Sequence, residues 1–112
     1  MMQKVLIADR GNAAVRLIWE FKRAGVKTVT VYTEEDYRSP HADLADEAIC
    51  IGKTLKCYRT RWDRIISAAE ISEVDAIHPG DGPLCTDERF IEVCAEIGVQ
   101  FLGRSAEPGG FT

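Results

Sequence analysis

The sequence predicts an α/β domain built on a mostly parallel sheet of about five strands. Two observations carry that expectation. Short apolar, β-branched runs alternate with amphipathic helical stretches, and the connections between runs are too long for hairpins. Strands joined through helices cross over right-handedly, which leaves helices on both faces of the sheet.

The first strand spans 4–8 and runs into a polar turn, Asp9-Arg10-Gly11. After it, Ala14, Leu17, Ile18 and Phe21 fall at i, i+3, i+4 and i+7, the spacing of one buried helix face, and Gly25 is placed to close the helix in a left-handed cap. Strands follow at 27–33 (KTVTVYT) and 47–51 (EAICI). Tyr58, Trp62, Ile65, Ile66 and Ala69 trace one stripe of a second helix, with Thr60-x-x-Asp63 as its capping box. A fourth strand covers 75–78. The third helix buries Phe90, Cys94 and Ile97, starts at a capping Thr86 with Asp87 and Glu88 in its first turn, and stops at Gly98. A last strand covers 99–102.

A chain of 112 residues suits one domain. Hydrophobic residues at 46%, charged residues at 29% and a mean hydropathy of -0.14 place it among folded globular chains, not disordered or membrane ones. The net charge of -4 argues against nucleic acid as a partner, since phosphate binding needs a basic face. Lys53, Lys56, Arg59, Arg61 and Arg64 do form a basic stretch, which reads as a solvated loop and helix face. No apolar run reaches membrane-spanning length and no secretory signal is visible, so the expected location is the cytoplasm and no membrane partner is expected. Cys50, Cys57, Cys85 and Cys94 lack a CxxC pair and read as free thiols. With His41 and His78 they offer no metal-ligand spacing, so no metal is expected. The tail 105–112, which contains EPGGF, reads as a flexible linker.

In a parallel sheet ligands meet the carboxyl ends of the strands, here the loops at 9–11, 33–39, 79–85 and 103–105. The opening turn has one glycine where a dinucleotide fingerprint needs three, so Asp9 and Arg10 read as organisers of the turn. The segment IHPGDGPLCTDE is the unusual one. Gly80 and Gly82 permit positive φ and close backbone approach, Pro79 and Pro83 stiffen the loop, and bare amides beside a helix start could hold a small anion or a polar ring. The competing reading is a turn shaped only for packing. Cys85, near the same helix start, has no partner base and reads as idle. On the first helix Trp19, with Val15 and Arg23 one turn to either side, lies off the buried stripe and forms a candidate subunit contact.

Several segments together resemble one family. KVLIADRGNAAVRLI is similar to the pattern IANRGEIAxRI, and GVKTVTVYTEED, HADLADEAICIG, AIHPGDGPL and FLGRS are similar, in order, to GIKTVAVYSEAD, HxxLADEAVCIG, AxHPGYGFLSEN and FIGPS. The family is biotin carboxylase, with the corresponding part of acetyl-CoA, propionyl-CoA and pyruvate carboxylases. The resemblance implies a Rossmann-like, pre-ATP-grasp three-layer domain at 1–104, with 105–112 leading to an ATP-grasp region. It implies a ligase that uses ATP and Mg²⁺ to activate bicarbonate and then carboxylates biotin on a carrier protein, as in fatty acid biosynthesis. No cofactor is expected on this chain alone, and no catalytic residue falls within it. Gly80, Asp81 and Gly82 become the substrate-facing positions, and the first helix, with Val15, Trp19 and Arg23, a homodimer face.

The chain departs from the family pattern mainly at its loops. Asp81 stands for tyrosine, Pro83 for phenylalanine, Cys85 for serine, Thr86 for glutamate and Asp87 for asparagine. Asp9 replaces asparagine, Asn12-Ala13 replaces Glu-Ile, and CYRTRW at 57–62 stands where SYLN is usual. A carboxylate at 81 would repel a bicarbonate by about 1 kcal/mol at roughly 4 Å in water. These changes leave two alternatives beside a carboxylase domain: a non-catalytic interaction module that pairs with a carboxylase subunit or itself, and an unrelated small-ligand binder using the 80–82 loop.

Overall fold

The computed structural model describes residues 2–36 and 39–103. Five strands, β1 Lys4–Ile7, β2 Lys27–Tyr32, β3 Glu47–Cys50, β4 Ala76–His78 and β5 Gln100–Phe101, form one sheet in the order β3-β2-β1-β4-β5. Every neighbouring pair is parallel, with Val5 opposite Thr28 on one side and Ala76 on the other. The predicted class, strand number and parallel pairing are all present. The helices are α1 Gly11–Arg23, α2 Pro40–Leu44, α3 Cys57–Thr60, α4 Trp62–Ile71 and α5 Glu88–Glu96, with single 3₁₀ turns at Glu34–Asp36 and Pro83–Thr86.

The near-continuous apolar character of β1 follows from burial on both faces. Val5 and Ile7 point to one face, where Ala14, Leu17, Ile18 and Phe21 of α1 cover them. Leu6 points to the other, with Val29, Val31 and Ile77 beneath Ile65 and Ile66 of α4 and Phe90 of α5. The stripe read from 14, 17, 18 and 21 is therefore the buried face of α1, and Gly25 and Gly98 both adopt φ of +77°, closing α1 and α5 as expected.

Three local expectations are corrected. The stripe from Tyr58 to Ala69 is not one helix, because Arg61 at φ -120° and ψ 45° breaks it into α3 and α4. The Thr60 capping box does not form: the Thr60 hydroxyl donates back to the Lys56 carbonyl at 3.0 Å, the local bond that competes with capping. Asp87, not Thr86, caps α5, its carboxylate accepting the Phe90 N–H at 3.0 Å, while Thr86 is taken up by the preceding 3₁₀ turn. The tail 105–112 lies outside the described residues.

Phe90 is fully buried and meets the Trp62 and Phe101 rings edge-on at 5.7 and 6.2 Å between centroids. Phe90→Ala is expected to lower the unfolding free energy by about 3–5 kcal/mol. Ile71, 78% exposed, supplies the control, and Ile71→Ser should change it by less than about 0.5 kcal/mol. Urea unfolding followed by circular dichroism measures both.

Candidate functional site

Because all five strands run in one direction, the loops after β1, β2, β3 and β4 gather at one edge of the sheet. Asp9 joins two of them. Its carboxylate accepts the Arg10 N–H at 2.8 Å and the Asp81 N–H at 2.9 Å, which ties the loop after β4 to the turn after β1. Gly80 sits against this carboxylate with φ of +63°, and a Cβ there would lie 2.7 Å from the Asp9 Cβ, so the position needs glycine on both counts.

The expectation for Gly82 is corrected, since its φ is an ordinary -76°. The expectation of bare amides is corrected as well. The Gly80 N–H donates to His78 Nδ1 at 3.0 Å, the Asp81 N–H to Asp9, and the Gly82 N–H to the Pro79 carbonyl at 3.2 Å. A tight turn enclosed by its neighbours satisfies its own donors, and these three are already engaged. Cys85 is half-buried within the 3₁₀ turn that follows.

Behind the rim lies a polar network that sequence reading missed. The Asp36 carboxylate, whose side chain is 0% exposed, accepts the Thr33 N–H at 2.6 Å and hydroxyl at 3.2 Å, the Tyr58 hydroxyl at 2.8 Å, and the Arg10 Nε–H at 3.1 Å. Burial pushes this carboxyl upward, yet the hydrogen bonds from Thr33, Tyr58 and Arg10 outweigh it and hold it below the usual carboxylate range. Burial and the neighbouring Asp36 together raise the Tyr58 phenol. His41 is buried with Nε2 3.2 Å from the Val31 carbonyl, which places the proton on Nε2 and leaves Nδ1 without a partner among the described residues. Burial lowers the His41 pKa against the opposing pull of Asp36, so the ring stays neutral. One signal for this network was present: Thr33-x-x-Asp36 is a capping-box spacing, and Asp36 does reach back to the Thr33 N–H.

Beside the network is a cleft of about 240 Å³. Asp9 and Arg10 form one wall, Pro83 another, and Leu55, Lys56, Tyr58 and Arg59 the third. The basic stretch thus divides. Arg61 pairs with Asp63 at 3.0 Å and Arg64 donates to the Ile51 carbonyl at 3.1 Å, while Lys56 and Arg59 line the cleft with no ion-pair partner among the described residues. On α1, Trp19 is 47% exposed with the Lys22 ammonium 6.0 Å from its ring centroid; Val15 is half-buried and Arg23 exposed.

The β1–α1 turn does not fit a nucleotide phosphate. Its Asp9 carboxylate occupies the Arg10 amide and packs on Gly80, where a phosphate would need donors. Among the described residues no three His, Cys, Asp or Glu side chains come together to hold a metal.

A doubly wound parallel sheet with a cleft at its carboxyl edge defines the class, a Rossmann-like domain. The Biotin carboxylase, N-terminal domain family model matches residues 1–108, and the chain belongs to that family. Biotin carboxylase 1 of Bacillus subtilis is 44% identical over 108 residues, 96% of this chain and 24% of that protein. The mitochondrial propionyl-CoA carboxylase alpha chain of Caenorhabditis elegans is 40% identical over 106 residues, 93% of this chain and 14% of that one. Among solved structures, the biotin carboxylase of Campylobacter jejuni in complex with β,γ-ATP superposes with a TM-score of 0.88 at 40% identity, covering 92% of this chain and 23% of that one. The biotin carboxylase domain dimer of Hydrogenobacter thermophilus 2-oxoglutarate carboxylase, with MgADP, ADP and bicarbonate, superposes at 0.87 and 39% identity over 92% and 23%. The chain spans about a quarter of the length of the bacterial carboxylases it matches.

Two outcomes follow from the geometry. Gly80→Ala is expected to destabilise the fold by more than about 1 kcal/mol, because positive φ and the Asp9 overlap act together, and Gly82→Ala by less. Urea unfolding of both variants decides this. His41 binds its proton less readily folded than unfolded, so stability should be complete above the ordinary histidine value of 6.5 and decline as pH falls below it; Asp36 adds a further decline below its ordinary 3.8. In thermal melts from pH 8 to pH 3, His41→Gln should remove the upper part of that decline and keep the lower.

Proposed function

We propose that this chain acts as the amino-terminal domain of a biotin carboxylase, a ligase in which ATP activates bicarbonate for the carboxylation of biotin. The observation that carries the reading is the family match across 1–108, joined to the superposition on the Campylobacter jejuni enzyme. ATP and Mg²⁺ would be held by an ATP-grasp region outside this chain, and biotin would arrive on a carrier protein in the cytoplasm. Residues 1–104 would act as one domain, with 105–112 leading onward, and the chain alone would not turn over substrate.

In this reading Gly80, Asp81 and Gly82 form the substrate-facing rim. Asp9 locks the loop in place, and the contact falls to the carbonyls and to the exposed Asp81 side chain, since the amides are engaged. The exposed Trp19 favours a second role for the same domain, a homodimer face made of Val15, Trp19 and Arg23, and the Hydrogenobacter thermophilus relative is a domain dimer.

Replacing the matched segment of Bacillus subtilis biotin carboxylase 1 with residues 1–108 of this chain gives the test. The chimera should hydrolyse ATP in a biotin- and bicarbonate-dependent way, the isolated chain should not, and Asp81→Tyr in the chimera should raise kcat/KM by about fivefold through removal of the repulsion. Turnover by the isolated chain, or a folded chimera that stays inactive with and without Asp81→Tyr, would overturn the reading.

A further inference from the structure

We infer that the cleft between Arg10, Arg59 and Pro83 is a second binding site, for a small organic oxyanion: a compact apolar body carrying a carboxylate or a phosphate. The cleft lies at the carboxyl ends of β1 and β4, where the order β3-β2-β1-β4-β5 reverses direction, the position at which doubly wound sheets take ligands. Its volume of about 240 Å³ suits a single ring or a short branched chain. Leu55, Pro83 and the Tyr58 ring give it apolar walls, and Tyr58 cannot turn its hydroxyl toward a ligand because Asp36 holds it.

The charges facing the cleft favour an anion. Lys56 and Arg59 have no carboxylate partner among the described residues, and Arg10 commits its Nε to Asp36 while the side chain stays 42% exposed. Among the described residues Asp9 is the one acid lining the cleft, and its two oxygens already accept backbone N–H groups from Arg10 and Asp81. Glu35, on the neighbouring 3₁₀ turn, is bonded to the Leu55 N–H. The cationic groups are thus the ones left to answer a ligand.

The same cleft collects two of this chain's departures from the family pattern. With Tyr58 common to CYRTRW and SYLN, Arg59 falls on the leucine, and Pro83 falls on the phenylalanine of HPGYGF. One change adds a cation to the wall, and the other removes a large ring from it. Together they make the site a property of this chain rather than of the shared scaffold. The 80–82 rim is separate, since none of its three residues lines the cleft, and the inference does not rest on the carboxylase reading.

Amide chemical-shift titration of the isotope-labelled 112-residue chain tests it, with phenyl phosphate, benzoate, inorganic phosphate and benzyl alcohol as probes. Phenyl phosphate or benzoate should shift amides at 9, 10 and 55–59, and the stronger of the two names the head group. Inorganic phosphate and benzyl alcohol should each bind at least about tenfold more weakly. Arg59→Leu should weaken the organic anion by about tenfold, and Pro83→Phe should abolish binding with every cation intact. Equal binding of inorganic phosphate would overturn the apolar walls, and equal binding of benzyl alcohol the anionic head. The inference falls if no probe shifts these amides, or if both variants, with otherwise unchanged spectra, bind as the parent does.

Discussion

A buried carboxylate organises the carboxyl edge of this domain. An ionised group withdrawn from water is tolerated only when donors replace the water it has lost, and Asp36 obtains four, from Thr33, Tyr58 and Arg10. Those donors come from the end of β2, from α3 and from the turn after β1, so one charge holds three loops in a fixed relation. Tyr58 must keep its proton to serve Asp36, and burial keeps the proton off His41 against the pull of the same carboxylate.

Asp9 completes the arrangement from the other side. It fastens the loop after β4 to the turn whose next residue, Arg10, reaches Asp36, so the two carboxylates form one chain of contacts across the sheet edge. The cost is that the loop amides face inward, each to an acceptor of the same protein. What is left to meet other molecules is side-chain chemistry at positions such as 56, 59 and 83, and two of those three differ from the family pattern. A stable scaffold with an altered outer surface is the physical outcome.

The parallel sheet was legible in the sequence because burial on both faces writes itself as apolar runs, and α1 because Ala14, Leu17, Ile18 and Phe21 keep strict helical spacing. The break at Arg61 was not legible, since Tyr58 and Trp62 keep helical spacing across it while the backbone departs at one residue. The site was harder still. Asp36 and His41 are near neighbours in the chain, but Tyr58 is 22 positions from Asp36 and shares no period with either, so their meeting depends on how β2 and α3 pack. Pro and Gly at 79–83 marked an unusual loop, but the engagement of its amides was not legible, the Asp81 N–H being taken by Asp9 in a contact across 72 positions.

The outer strands of the sheet have a bearing on how this chain behaves in company. β3 is four residues long and β5 only two, and Glu47 opens β3 in an ion pair with Lys4 at 2.8 Å. A strand that short, begun by a charge, gives a neighbouring molecule little backbone to zip onto. Crowded copies of the domain are thereby guarded against stacking edge to edge into fibrils, a safeguard that matters most while the polypeptide is newly made and its loops are still unfastened.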